Sequence, residues 1–190
     1  ERQRQLVPFP ETARCLLTAL EHRAPEVFRH SQRVARLSAD VGRSLMLDEQ
    51  QVQDLTMGAL LHDIGKLGVD GDLEDAAGRW EHAVIGARMF GWLRHPELCA
   101  IVRSHHEHLD GTGGPDALAD EDLPLPVRIV AVCNRFDRLT RGTSDERRCR
   151  EALEALRTEA GAGLWDPEVA ETLEEAVVRC ERLDEAAASG

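Results

Sequence analysis

Several features that would assign a chain to a membrane, an oxidising compartment or a polyanion are missing here. No apolar run approaches the roughly 18–20 residues needed to span a bilayer. No signal-peptide pattern opens the sequence. The five cysteines (Cys15, Cys99, Cys133, Cys149 and Cys180) are scattered, odd in number and without a C-x-x-C pair, so they read as reduced thiols in a cytoplasmic protein. Basic residues are in deficit, 23 Lys+Arg against 35 Asp+Glu, for a formal net charge of −12. That balance argues against a partner of polymeric nucleic acid, where affinity comes from basic patches on phosphates. It leaves room for a small anion, because bound cations can reverse the field inside one cleft. What is present is a hydrophobic fraction of 42% in 190 residues, enough for a core and about the size of one domain. Position 1 is Glu rather than Met, and the expectation is a piece of a longer protein.

The hydrophobic periodicity is helical nearly throughout, and no stretch alternates like a strand. Helices are expected at about 11–22, 26–47, 48–62, 80–93, 97–108, 125–140, 145–160 and 167–184. Val34, Leu37, Val41 and Leu45 form one stripe, and Val52, Leu55, Ala59 and Leu60 another. Asp48 suits a helix cap, and Asp166-Pro167 supplies a cap and first-turn residue for the last helix. Residues 64–79 and the segment from Asp110-Gly-Thr-Gly-Gly-Pro115 to Pro124 read as loops. The organisation expected is all-α: an N-terminal helix or linker region over 1–23, a single domain over 24–184, and a frayed tail over 185–190.

Eight histidines are many for this length, and their positions are informative. His30 continues the stripe through Val34 and Leu37 and lies four residues after Glu26, so both project from one helix face. His62 continues the stripe of Val52, Leu55 and Ala59, with Asp63 beside it. His82 shares a face with Ile85 and Met89. His105 continues Leu98, Ile101 and Val102, with His106 next to it. One inward histidine is ordinarily a hydrogen-bonded core residue. Five such rings beside a His-Asp dipeptide are better explained as ligands, since neutral imidazoles and carboxylates suit borderline first-row cations. Adjacent pairs such as His62-Asp63 and His105-His106 can serve two ions. Two ions about 3.5–4 Å apart polarise a phosphoryl oxygen and generate hydroxide from water. Lys66, one turn beyond Asp63, is placed to steady a phosphate oxygen or the leaving group.

His62-Asp63-Ile64-Gly65-Lys66, then His105-His106-Glu107 and Asp110-Gly111-Thr112-Gly113-Gly114-Pro115, resemble the HD-GYP family of the HD phosphohydrolase superfamily. His30-Ser31-Gln32-Arg33-Val34, His82-x-x-Ile85-Gly86, Val127-Arg128-Ile129-Val130-Ala131-Val132, Ala160-Gly161 and Asp166-Pro167-Glu168 extend the resemblance from about Glu26 to about Val178. It implies an HD-type helical bundle that hydrolyses cyclic di-GMP or a related cyclic dinucleotide with two or three divalent metal ions, iron or manganese foremost. It also implies a place within a larger signalling protein, and a homodimer is a further expectation. Carried over, the metal ligands are His30, His62, Asp63, His82, His105 and His106, with Asp63 bridging and Glu26 marking a third ion. Asp63 and Lys66 take the catalytic positions. Lys66, Gly113, Gly114, Pro115 and Arg128 fall at substrate-binding positions.

The chain departs from the family pattern in four places. Asn134 stands where the Ala-Asp-x-x-Asp segment has its ligating Asp, while the second Asp is kept as Asp137. Gly114 replaces the tyrosine of Gly-Tyr-Pro, and the chain has no tyrosine anywhere. The Arg-Pro-Tyr-Arg segment has become Arg141-Gly142-Thr143-Ser144-Asp145-Glu146-Arg147. The loop between Lys66 and His82 is shorter than usual. Three readings therefore stand: a cyclic-dinucleotide phosphodiesterase, a degenerate module that binds metal, nucleotide or a signalling partner, and a phosphohydrolase of another phosphate ester.

Overall fold

The computed structural model describes residues 9–69, 80–91 and 95–188. Eight α-helices follow in order: α1 Phe9–Arg23, α2 Pro25–Ser44, α3 Glu49–Leu61, α4 Glu81–Phe90, α5 Pro96–Ser104, α6 Leu125–Thr140, α7 Glu146–Gly161 and α8 Pro167–Ala188. No strand is formed among the described residues; the only β feature is an isolated bridge between Asp110 and Ala119. None of these helices is long and apolar enough to cross a membrane.

Local chemistry sets most helix starts. Asp48 accepts from the Gln51 amide while the Gln51 side chain accepts from the Asp48 amide, a reciprocal capping box that opens α3. The Asp145 carboxylate caps α7 through the Arg148 amide, and Asp166 accepts from Glu168 and Val169 at the start of α8. Proline occupies the first turn of α2, α5 and α6, where its missing N–H costs nothing. α5 is shorter than its periodicity predicts. It stops at Ser104, and His105 turns its Nδ1 back onto the Val102 carbonyl. His105 and His106 therefore sit in the turn after the helix, free to point at the site. The expected loop over 64–79 begins with a 3₁₀ turn at Ile64–Gly68; the rest of it lies outside the described residues. At the other end, α8 stays helical to Ala188, through part of the segment expected to fray, and residues 189–190 lie outside the description.

Two cores hold the bundle. The larger buries Val34, Ala35 and Val41 of α2 against Leu55 and Ala59 of α3, Ile129, Val130 and Phe136 of α6, Leu156 of α7 and Leu173 of α8. The smaller joins Ala13 and Leu20 of α1 to Leu61, Ile64, Phe90, Leu98 and Val102, so α1 packs on the domain rather than standing apart from it. Each fully buried Leu or Ile contributes about 1.5–3 kcal/mol relative to exposure. Cys133 and Cys149 are buried in the larger core, and none of the four described cysteines is in a disulfide.

One backbone contact positions the site. A Cβ on Gly65 would lie 1.8 Å from the His82 carbonyl oxygen and 2.6 Å from the Gly86 amide nitrogen. Only glycine lets the turn after Asp63 press directly on the first turns of α4, which brings His82 onto Asp63.

Candidate metal centre

Asp63 follows the end of α3 and points into a pocket walled by α2, α4, the turn after α5 and α6. Its two oxygens face different neighbours. Oδ1 lies 3.1 Å from His82 Nε2 and 3.8 Å from His105 Nε2. Oδ2 lies 3.5 Å from His62 Nε2, 3.9 Å from His30 Nε2 and 2.8 Å from Lys66 Nζ. His106 completes the crowd on the Oδ1 side: His82 Nε2 is 3.3 Å from His105 Nε2 and 3.1 Å from His106 Nε2. Two donor sets result, Asp63/His82/His105/His106 and His30/His62/Asp63, each spanning no more than 4.8 Å and sharing the aspartate.

The rings are oriented for ligation from behind. His62 Nδ1 donates to the Ala59 carbonyl at 2.6 Å and His105 Nδ1 to the Val102 carbonyl at 3.0 Å. A carbonyl can only accept, so both Nδ1 atoms carry the proton and each neutral ring turns a bare Nε2 inward. His30 Nδ1 is held 2.7 Å from Asp137 Oδ2. Asp137 is itself gripped by Arg33, with Nε at 2.6 Å and Nη2 at 2.9 Å. A carboxylate behind an imidazole is the arrangement that raises ligand basicity and fixes ring direction. An Asp137→Ala variant is therefore expected to weaken metal affinity about 10- to 100-fold, read by titration with manganese; unchanged affinity would remove Asp137 from the site.

Electrostatics keep the donors in their ligating forms. Burial pushes His62 down to about 4, and His106 down to about 3 with help from neighbouring His82. Burial, with His106 and His62 nearby, holds His105 well below the ordinary imidazole range. Burial alone would raise the Asp63 carboxyl, but Lys66, His62 and His82 outweigh it and hold it well below the usual carboxylate range. At neutral pH His62, His105 and His106 are neutral rings beside one anion. The cluster's fit to cations shows in His62 Nε2, buried without a hydrogen-bond partner; Asn134 Oδ1 on α6 and the Ser31 and Ser38 hydroxyls are also buried and unpartnered. A buried ring nitrogen that faces a carboxylate is one that a bound cation would satisfy. Nitrogen and oxygen donors in this mixture suit divalent first-row ions.

Not every expected residue arrives. Glu26 is exposed at the start of α2 and paired with Arg29. Its spacing to His30 gives a shared face but leaves it a full turn nearer solvent, and it joins neither donor set. Arg128 is also elsewhere engaged: Nε donates to the Leu123 carbonyl at 2.7 Å, Nη2 to the Asp120 carbonyl at 2.8 Å, and Nη1 to Asp166 at 3.0 Å. It braces the 120–123 turn against α8 rather than reaching the cluster. Gly113 and Gly114 do border the site. The Gly114 amide donates to the His106 carbonyl at 3.2 Å. A Cβ on Gly113 would strike the backbone of His106, Glu107 and His108 at 2.4–2.5 Å, and Pro115 follows through a cis peptide bond. Glu107, fully buried, accepts from the amides of Asp116 at 2.7 Å and Leu118 at 3.2 Å and so clamps this loop. Asp137, Arg33 and Glu107 lie inside the quoted motifs, but their partners are distant in sequence. Lys66 carries a signal of another kind: it is the chain's single lysine among 23 basic residues.

A helical bundle whose His-Asp dipeptide anchors a cluster of histidines defines an HD protein, and residues 14–169 match the family model described as HD domain. The chain belongs to that family and, within it, to the HD-GYP group. It is 34% identical over 158 residues to a cyclic di-GMP phosphodiesterase of Pseudomonas aeruginosa, covering 75% of this chain and 37% of that protein. It is 31% identical over 165 residues to a cyclic di-GMP phosphodiesterase of Thermotoga maritima, covering 80% of this chain and 45% of the relative. Among solved structures, an HDG"Y"P protein from Bdellovibrio bacteriovorus superposes with a TM-score of 0.67 at 25% identity, covering 84% of this chain and 56% of that one. The chain thus spans less than half the length of these two curated relatives.

Proposed function

We propose that this domain is a metal-dependent phosphodiesterase that hydrolyses a cyclic dinucleotide, cyclic di-GMP foremost, and that it works as one part of a longer signalling chain. The observation that carries this reading is the shared aspartate: the two Asp63 oxygens each face a different donor set. His30, His62 and Asp63 would hold one ion and Asp63, His82, His105 and His106 the other. Asn134 belongs with the first set, because Asp137, one turn along α6, already touches His30. Glu26 is withdrawn from the assignment, leaving a two-ion centre of iron or manganese. When bound, such a pair would polarise the phosphoryl group and activate water.

The chain's own residues do the remainder. Asp63 is the only carboxylate in either donor set, so the loaded cleft stays cationic inside an acidic protein and attracts a phosphodiester. Lys66, held against Asp63 at 2.8 Å and still partly exposed, is placed to steady a phosphate oxygen or the departing 3′-oxygen. The Gly113-Gly114-Pro115 loop, pinned by Glu107, closes the side of the cleft next to His106. The relatives' names support the substrate class.

The test is anaerobic turnover of cyclic di-GMP by protein loaded with iron or manganese, products resolved by chromatography. Linear dinucleotide or mononucleotide product is the expected result. A protein that holds two ions and forms no product would favour the second reading, a nucleotide-binding module without activity, to which Asn134 and Gly114 point. Asn134→Asp separates the two further. It replaces a buried, unpartnered amide oxygen with a second anionic donor. It is expected to tighten metal binding and raise turnover about tenfold in a weakened hydrolase, whereas unchanged turnover would place the loss at the substrate contacts.

A further inference from the structure

Trp80 is the last residue before α4 and lies two positions ahead of His82. It is one of few large hydrophobic side chains left exposed, at 38%. Its ring rests on the loop that has lost the family's tyrosine. A Cβ built on Gly114 would meet Trp80 Cδ2 at 2.4 Å and both Cε2 and Cε3 at 2.6 Å. Those three atoms are the ring-fusion carbon Cδ2 and two carbons bonded to it in the six-membered ring, so the Cβ direction runs into the face of the indole rather than its edge. The absent side chain at 114 is thus the notch that seats the ring. Gly114 covers part of one face, and the residue keeps 38% of its surface exposed. Gly114 in turn donates to the His106 carbonyl, and His106 and His82 hold ring nitrogens 3.1 Å apart. The indole is therefore linked to the donor set that contains both histidines along two routes, through Gly114 to His106 and along the chain to His82.

We propose that Trp80 is a nucleobase-stacking platform of the substrate site, seated on Gly114 and selecting a cyclic dinucleotide by its base rather than its phosphate; this rests on the phosphodiesterase reading above. An exposed indole face offers sequence-tolerant stacking that a simple phosphate ester cannot exploit. Gly114 and Trp80 act as a matched pair, since any side chain at 114 would lift the ring from its seat.

The experiment is steady-state kinetics of manganese-loaded protein with cyclic di-GMP, alongside the inhibition constant of inorganic phosphate and the metal content of each variant. Trp80→Ala is expected to raise KM about 5- to 100-fold, the range measured for loss of one stacked base, with kcat, phosphate inhibition and metal content unchanged. Trp80→Phe should stay close to the parent, and Gly114→Ala, which displaces the ring from its seat, should raise KM as well. An unchanged KM in Trp80→Ala overturns the proposal. So does a rise in KM matched by weaker phosphate inhibition, which marks a structural role. If the parent binds cyclic di-GMP without cleaving it, the dissociation constant replaces KM and the same comparison decides. If the parent cleaves bis(p-nitrophenyl) phosphate but neither binds nor cleaves cyclic di-GMP, the dinucleotide reading fails and the platform falls with it.

Discussion

Replacing Asp63 with alanine should remove turnover by about three orders of magnitude or more and leave the protein with at most one bound ion. Asp63 is the one residue common to both donor sets, and each of its oxygens serves a different side. Its loss also removes the only negative charge in the cluster, so two dications would face each other across neutral imidazoles. Effects of this size are typical where a preorganised charge supports the reacting phosphate. His106→Ala offers the graded comparison, because it takes one donor from one set and leaves the other intact. The fold should survive either change, since Lys66, the side chain left without its carboxylate, still reaches solvent. Metal analysis of the purified variants decides the matter: an Asp63→Ala protein that retains both ions would remove the bridge from the mechanism.

The second large effect is on stability in acid. His62 and His106 are pushed down to about 4 and about 3, and His105 lies well below its ordinary range. In the unfolded chain each ring takes up a proton near pH 6.5. Between that pH and about 4 the unfolded state binds more protons than the folded one, so stability falls as pH falls. Each ring contributes a slope of about 1.4 kcal/mol per pH unit, and His62 alone accounts for about 3 kcal/mol over the window. Asp63 and Asp137, both held below their usual values, extend the loss in the same direction below about pH 4. Against a total stability of about 5–15 kcal/mol, the metal-free protein should unfold far more readily in denaturant at pH 5 than at pH 7.5. Equal midpoints at the two values would mean the rings are already charged in the folded state.

The parts legible in the sequence were those set by local rules. The stripe Val34-Leu37-Val41, the Asp48 cap and the Asp166-Pro167 start are near-neighbour patterns, and the corresponding helices form where expected. The inward histidines were legible for the same reason, because each continues an apolar stripe whose burial is fixed by the core. Depth along a helix was not. Glu26 shares a face with His30 yet sits at the exposed end, which periodicity cannot register. Nor does spacing show where a helix stops, so His105 and His106 read as helical although α5 ends at Ser104. Contacts between distant segments were beyond local reasoning altogether. Asp137 reaches His30 across 107 positions, and Arg128 reaches Asp166 across 38. Both pairings depend on how α6 crosses its neighbours, and the Arg128 pairing turned a substrate-site expectation into a brace.

The close approach of Gly65 to the first turns of α4 acts as a gauge block. Main chain meets main chain there, with the Gly65 Cβ position only 1.8 Å from the His82 carbonyl oxygen, so no side chain can be reshuffled to widen the gap. Asp63 and His82, proposed above as donors to one ion, are thereby held at a spacing that packing density resists changing. Ions of different radius must be accommodated by small rotations of the imidazoles, not by sliding α4 outward. If the centre binds as proposed, discrimination between a smaller and a larger divalent ion would then be built into the backbone. Any residue other than glycine at 65 would force the two backbones apart and carry His82 away from Asp63.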